Sequence, residues 1–207
     1  MDNKHIIINI GRQLGSGGRI IGKRLADDFG CKFYDKELLN LAARESGFSA
    51  KFFEQNDEQK GFLKSLFHPH APHVGDNNFY RSRFSQESLF QFQSDAIRKA
   101  AQEGSCVFVG RCADYVLRDM TNVVNLFITA DMNERIARVA ERHHCDADKA
   151  QSIIEAKEST RASYYNYYTG KRWGHAASYD LCINSSILGI EGTEQFIAEL
   201  IRKKLEG

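Results

Sequence analysis

The chain has 207 residues, which suits one domain or one core with an inserted subdomain, and its 28 basic and 27 acidic side chains nearly cancel. This balance argues against a nucleic acid or a membrane surface as the main partner. The five cysteines lie apart without a C-x-x-C pair, so they indicate neither a disulfide framework nor a zinc site. Without a signal peptide or an apolar run long enough to span a bilayer, we expect a cytoplasmic protein.

The chain begins with an apolar run and a glycine-rich loop. Four isoleucines without polar alternation predict a buried strand over residues 5–10 at the centre of a parallel sheet. A helix over residues 19–29 follows the loop. In a strand–loop–helix unit of this kind, backbone N–H groups converge on a phosphate. The loop residues predicted to contact phosphate are Gly15, Ser16, Gly17, Gly18, Arg19 and Ile20.

The loop departs from the usual phosphate-binding pattern, G-x-x-x-x-G-K-[ST], in which the lysine contacts the β/γ-phosphates and the hydroxyl contacts Mg²⁺. With Gly17 as the last glycine of the pattern, Gly18 stands at the lysine position and Ile20 near the hydroxyl position. Arg19 and Arg12 could replace the missing charge, since guanidinium groups bind phosphate oxygens well. The alternative is a glycine-rich turn that binds no ligand.

A short second strand is predicted over residues 31–34, and Asp35 follows it. Asp35 either caps the helix predicted over residues 36–44 or presents its carboxylate to a ligand at the carboxyl end of the strand. Another short helix is predicted over residues 48–62. The segment 68–78 holds three histidines and both prolines; we interpret it as a mobile loop rather than a metal site, because it lacks a second ligand group at useful spacing.

Arg111 and Asp114 follow the third predicted strand, at the edge where open α/β sheets bind ligands. Arg111 could hold a phosphate there, or the two residues could form a surface ion pair. Ser85 is a candidate cap for the helix before this strand. The elements predicted for the rest of the chain are a helix over 85–103, strands over 106–109, 122–128 and 179–184, and helices over 132–142, 146–168 and 193–204.

Most of the arginines of the helix over residues 132–142 are expected to be solvated or paired at i,i+4. Aromatic residues alternate with lysine and arginine over 164–173 and could stack on a base, although packing explains the aromatics equally. Strands separated by helices predict an α/β fold with a parallel sheet covered on both faces. Two regions, roughly 40–95 and 145–175, do not fit this alternation and are interpreted as additions at the ligand-binding edge of the sheet.

Several motifs, taken in order, resemble those of the cytidylate kinase-like family of P-loop proteins. They are Gly15–Arg19, Tyr34–Leu38, Gly110–Arg111, Glu158 with Arg161, Tyr164–Tyr165, Trp173–Gly174 and Tyr179–Ser186. The resemblance implies a three-layer α/β fold of the P-loop NTPase type with a five-stranded parallel sheet. It also implies one domain over 1–207, with a core (1–39, 96–144 and 176–207), a helical substrate-binding insertion (40–95) and a lid (145–175).

The same resemblance implies that ATP, with Mg²⁺, passes its γ-phosphoryl group to a nucleoside monophosphate such as CMP or dCMP. Arg161 of the lid would stabilise charge in the transition state, joined by Arg19 or Arg12. Nucleotides are then the partners, with no nucleic acid and no membrane. Because the loop lysine is missing, a nucleotide-binding protein with weak or no catalysis, or a kinase of another small phosphate acceptor, stays open. The residues implied for the acceptor are Asp35, Arg44, Arg111 and Asp114.

Overall fold

The computed structural model describes residues 5–37, 39–40 and 78–206, and for residues 78–85 it describes the backbone alone. The predicted helix over 48–62, the histidines of the segment 68–78 and Arg44 lie outside these ranges. The chain divides into two compact units. One consists of Met1–Lys36 with Ile97–Gly207, and the other is Glu37–Ala96.

Five parallel strands form one sheet in the order β2-β3-β1-β4-β5. Ile8 of the central strand pairs in register with Val107 on one side and Val124 on the other. The buried isoleucine run therefore lies at the centre of the sheet, and the predicted α/β fold with a five-stranded parallel sheet is confirmed. The strands are β1 (Ile7–Arg12), β2 (Lys32–Tyr34), β3 (Cys106–Val109), β4 (Val123–Thr129) and β5 (Leu181–Asn184).

Helices alternate with the strands along the described part of the chain. One face of the sheet is covered by the first and the last helix, whose buried side chains include Ile21 and Ile197. The helices are α1 (Gly18–Asp28), α2 (Asn78–Glu103), α3 (Ala113–Val116), α4 (Met132–His143), α5 (Ala147–Thr169) and α6 (Gly189–Glu206), with a short 3-10 helix (Ala176–Ser178) before β5.

Several element boundaries differ from the sequence prediction, each for a local reason. The strand β1 continues to Arg12, because Gly11 and Arg12 still pair with β4. The helix α2 begins at Asn78, so the expectation that Ser85 caps it is wrong. The helix α6 begins at Gly189, whose carbonyl oxygen accepts a 2.6 Å hydrogen bond from the hydroxyl of Thr193.

Caps at the helix α5 agree with the predicted start of this helix. The carboxylate of Asp146 accepts the backbone N–H of Lys149 at 2.8 Å, which satisfies one of the unpaired donors of the first turn. Gly170 ends the helix in the left-handed conformation. No helix within the described ranges combines the length and the apolar character needed to cross a membrane.

In the second unit, Glu37–Ala96, the described residues include part of α2. There the side-chain amide of Gln93 donates to the side-chain oxygen of Asn40 at 2.6 Å. The assignment of residues 40–95 as a substrate-binding insertion stays a prediction.

Candidate active site

The glycine loop between β1 and α1 is fixed by hydrogen bonds to its carbonyl oxygens. The buried hydroxyl of Ser185, just after β5, donates to the carbonyl oxygen of Ser16 at 2.8 Å. From α4, Arg135 Nε donates to the carbonyl oxygen of Leu14 at 2.8 Å, and Arg138 Nη1 donates to that of Gly15 at 2.9 Å. Three side chains distant in sequence thus hold the loop in one conformation before any ligand arrives.

Glu158 of α5 connects the glycine loop with α4. Its carboxylate accepts the backbone N–H of Leu14 at 3.2 Å and forms an ion pair with Arg135. The side chain of Arg135 is only 3% exposed, and burial lowers its pKa while the charge of Glu158 raises it. Arg138 pairs with Glu134 at i,i+4, as expected for most arginines of this helix, and Arg135 is an exception because it is buried and paired with a residue of another helix.

The hydroxyl of Ser16 forms its hydrogen bonds within the loop. The hydroxyl of Ser16 donates to the carbonyl oxygen of Gln13 at 2.9 Å and accepts the backbone N–H of Gly18 at 3.4 Å. Arg19 stands at the position where the usual pattern has a hydroxyl, and Ile20, the next residue, is half exposed. The first-turn N–H groups of α1 have no partner within the helix, and they point the positive end of the helix toward the loop.

The side chain of Arg19 lies against Asp35, just after the end of β2. Its Nε and Nη2 donate to one carboxylate oxygen of Asp35 at 2.9 and 2.7 Å. The side chain of Arg19 is 57% exposed, whereas that of Asp35 is buried. The structure therefore brings these two predicted site residues together as an ion pair.

A cavity of about 270 Å³ opens at the carboxyl ends of β1 and β3 and against α5. Its positively charged side chains outnumber the single carboxylate among its lining residues, that of Asp114. Aromatic side chains form another part of the wall. The cavity therefore suits a ring compound that carries phosphate. Its cationic lining residues are Arg12, Lys36, Arg111, Lys157 and Arg161, and its aromatic ones are Tyr164, Tyr165, Trp173 and Tyr179.

Three arginines predicted as site residues meet at this cavity: Arg12, Arg111 and Arg161. Burial lowers the pKa of Arg12 to about 9, and the positive charges of Arg161 and Arg111 act in the same direction. Burial also lowers the pKa of Arg161, against the opposing effect of Glu158. The Nη1 group of Arg161 donates to the carbonyl oxygen of Arg12 at 3.1 Å. The cluster is therefore an environment that favours a bound anion.

Arg111 and Asp114 each have an aromatic partner instead of forming the surface ion pair considered from the sequence. Arg111 has the left-handed conformation, with φ of 61°, and its guanidinium carbon lies 5.1 Å from the centre of the Tyr164 ring. The carboxylate of Asp114 accepts the hydroxyl of Tyr165 at 2.6 Å. Burial raises the pKa of Asp114 and raises that of Tyr164 to about 12. Strained backbone of this kind is often retained at functional sites.

Some cavity and loop residues carried no role in the sequence analysis. Lys157 precedes Arg161 by four positions, so helix periodicity alone would place both on one face. Arg135 and Ser185 carried no such signal, because their partners lie in the distant loop at residues 14–16.

Comparison with known proteins extends the resemblance noted in the sequence. Residues 7–187 match the cytidylate kinase-like family. The cytidylate kinase of Pyrococcus horikoshii is 26% identical over 194 residues, which cover 93% of this chain and 86% of that protein. The cytidylate kinase of Methanococcus vannielii is 28% identical over 200 residues, which cover 95% of this chain and 100% of that protein.

Solved structures show the same architecture. An uncharacterized protein from Eubacterium ventriosum is 28% identical, with a TM-score of 0.73 and coverage of 95% of this chain and 98% of that one. Shikimate kinase from Bacteroides thetaiotaomicron is 13% identical, with a TM-score of 0.51 and the same coverage of 95% and 98%. The second likeness concerns the fold alone.

The ion pair between Glu158 and Arg135 leads to a stability prediction. Glu158→Ala leaves the charge of Arg135 buried without its partner, so we expect a loss of about 3 kcal/mol in the free energy of unfolding, measured by urea denaturation. Glu155→Ala, an exposed change on the same helix, serves as the control and should stay within about 0.5 kcal/mol of the unchanged protein. Equal losses in the two variants would contradict the role given to Glu158.

The raised pKa of Asp114 leads to a pH prediction. Because the folded state holds this proton more tightly than the unfolded chain, whose carboxyl has its ordinary pKa near 3.8, the residue makes stability fall as the pH rises from that value through the raised pKa. Asp114→Asn keeps an acceptor for Tyr165 and removes the charge. The variant should melt at a higher temperature than the unchanged protein at neutral pH.

This advantage of Asp114→Asn should shrink as the pH is lowered toward 4, with the melting temperature measured at each pH. The exposed change Asp119→Asn should give a difference with no such trend. An advantage of Asp114→Asn that grows with acidity would show that the sign is wrong.

Proposed function

The chain belongs to the cytidylate kinase-like family of nucleotide kinases, and we propose on this basis that it transfers the γ-phosphoryl group of ATP to a CMP-like nucleoside monophosphate, CMP or dCMP. The observation that carries the proposal is the cavity beside the glycine loop in which Arg12, Arg111 and Arg161 meet. Phosphoryl transfer depends mainly on positioning and charge neutralisation, and these side chains supply both. Two similar proteins that are named cytidylate kinase favour a cytidine acceptor.

The donor phosphates would lie on the glycine loop. Backbone N–H groups from Gly15 to Arg19, together with the N-terminus of α1, form an anion-binding arrangement. Among the described residues no group of three or more His, Cys, Asp or Glu side chains could hold a metal ion. The magnesium ion would arrive with the substrate as Mg–ATP, held mainly by phosphate oxygens and water.

The acceptor would occupy the cavity. Arg111 would hold its phosphate, and the aromatic wall around Tyr164 and Trp173 would contact its base. Asp114, fixed by the hydroxyl of Tyr165, would face the sugar or the base. The acceptor role of Arg44 stays a prediction, and that of Asp35 would be exerted beside its ion pair with Arg19.

The lid arginine would act on the transferring group. Arg161 lies on α5 with its guanidinium against the carbonyl oxygen of Arg12, next to the loop. From this position it would stabilise the charge that spreads over the phosphoryl oxygens in the transition state. No side chain is required as a general base, because the phosphate of the acceptor is already an anion.

A second candidate function is nucleotide binding without catalysis. One observation favours it: Gly18 and Arg19 stand where a loop lysine and a hydroxyl are usual. Three arginines at one cavity favour turnover instead, since binding alone requires fewer charges near the transferring group.

ADP release from Mg–ATP, measured with a panel of CMP, dCMP, UMP and other nucleoside monophosphates, tests the proposal. We expect turnover with a cytidine acceptor and a fall in kcat of about 10²–10³-fold in Arg161→Ala, with ATP affinity nearly unchanged. The control is Arg142→Ala, which removes one exposed arginine from α4.

Two outcomes would contradict the proposal. ATP binding without turnover for any acceptor would support the second candidate. Absence of both binding and turnover would show that the glycine loop is not a phosphate site.

A further inference from the structure

We propose that Arg12 supplies the cation that the loop lacks at its lysine position, and that Gly18 is glycine because the stem of Arg12 occupies the space beside it. The inference rests on the proposed phosphoryl transfer and assigns the group that would contact the transferring phosphoryl. Gly18 and Gly110 both leave room for the side chain of Arg12.

The stem of Arg12 crosses the start of α1. A Cβ atom added to Gly18 would lie 2.6 Å from Cβ and 3.1 Å from Cγ of Arg12. Those two atoms are close to the backbone of β1, so a rotation of the arginine cannot remove the overlap. Gly18 is the first residue of the helix and is buried. The contact with Arg12 therefore explains the glycine at this position.

The tip of the same side chain reaches the end of β3. A Cβ atom added to Gly110 would overlap Nη1 of Arg12. The guanidinium thus lies between the glycine loop, where the donor phosphates would bind, and Arg111, which would hold the acceptor phosphate. Phosphoryl transfer takes place between those two positions.

The charges around the guanidinium of Arg12 also suit a position next to the transferring phosphoryl group. The guanidinium of Arg12 lies in the field of Arg161, Arg111 and, more weakly, Arg19, and Asp35 is the carboxylate that opposes them. Clustered positive charges of this kind lower their free energy when a polyanion binds. A guanidinium can also donate two parallel hydrogen bonds to phosphate oxygens.

The other arginine considered from the sequence is less suited to the role. Arg19 donates to Asp35 through Nε and Nη2, and its side chain is largely exposed. It is absent from the lining of the cavity. The structure therefore favours Arg12 over Arg19 as the replacement for the lysine.

The functional test compares Arg12→Ala with Arg24→Ala, which removes an exposed arginine from α1. Arg12→Ala should lower kcat by about 10²–10³-fold, and added guanidinium ion should restore part of the activity, which a merely structural role does not predict. It should also weaken binding of inorganic tripolyphosphate, measured by calorimetry. Arg24→Ala should change neither property. Normal activity in Arg12→Ala, or activity that guanidinium cannot restore, would overturn the inference.

The packing test uses Gly18→Ala alone and together with Arg12→Gly. Alanine normally stabilises a helix relative to glycine. With Arg12 present, Gly18→Ala should lower the melting temperature because its methyl group overlaps the arginine stem. In the Arg12→Gly protein the same change should raise it. The same sign in both proteins would overturn the packing explanation.

The outcomes also separate this inference from the proposed function. If the unchanged protein phosphorylates no nucleoside monophosphate, the proposed function fails, and tripolyphosphate binding and the melting temperatures still decide the inference. If the unchanged protein turns over and Arg12→Ala turns over equally fast, the inference alone fails.

Discussion

Repulsion between like charges is the constraint on which the site depends. Arg12, Arg111 and Arg161 line one cavity whose lining contains a single carboxylate. Each has different surroundings in the fold. Arg161 donates to the carbonyl oxygen of Arg12, Arg111 lies over the ring of Tyr164, and Arg12 passes close to Gly18 and Gly110, where a side chain would overlap it. A cluster of this kind lowers the stability of the folded state, and a phosphate-bearing ligand that binds there raises it again. The same positive charges that lower the stability of the folded protein are those that phosphoryl transfer requires.

A second set of interactions connects the glycine loop to α5, the helix that carries Arg161. Glu158 and Arg161 lie three positions apart on α5, so both project to the same side of the helix. Glu158 accepts the N–H of Leu14 and pairs with Arg135, while Arg161 contacts Arg12 at the start of the loop. The loop and α5 are therefore positioned together. A displacement of α5 would therefore move the glycine loop, where we propose that the donor binds, and Arg161, the proposed catalytic arginine, at once.

Local sequence patterns correctly predicted the elements of the fold that depend on residues close together in the chain. The isoleucine run predicted the central strand, and Asp146 preceded the helix that it caps. Arg135 is an exception to the pattern expected for most arginines of its helix. It contacts Leu14, 121 residues away in the chain, and Glu158, 23 residues away, and such contacts leave no periodic signal. The sequence also left Arg12 and Arg19 as equals. Their difference depends on the direction in which each side chain leaves the end of a strand or the start of a helix, and only the packed structure fixes that direction.

The central claim is that donor and acceptor phosphates meet between the glycine loop and the arginine cluster. The most direct measurement is a crystal structure of the complex with a bisubstrate analogue in which adenosine and cytidine are joined by a chain of phosphates. We expect that chain to run from the N–H groups at Gly15–Arg19 to the guanidinium groups of Arg12, Arg111 and Arg161, with the cytosine against the aromatic wall of the cavity. Phosphates bound elsewhere, with the three guanidinium groups making no contact to them, would contradict the account.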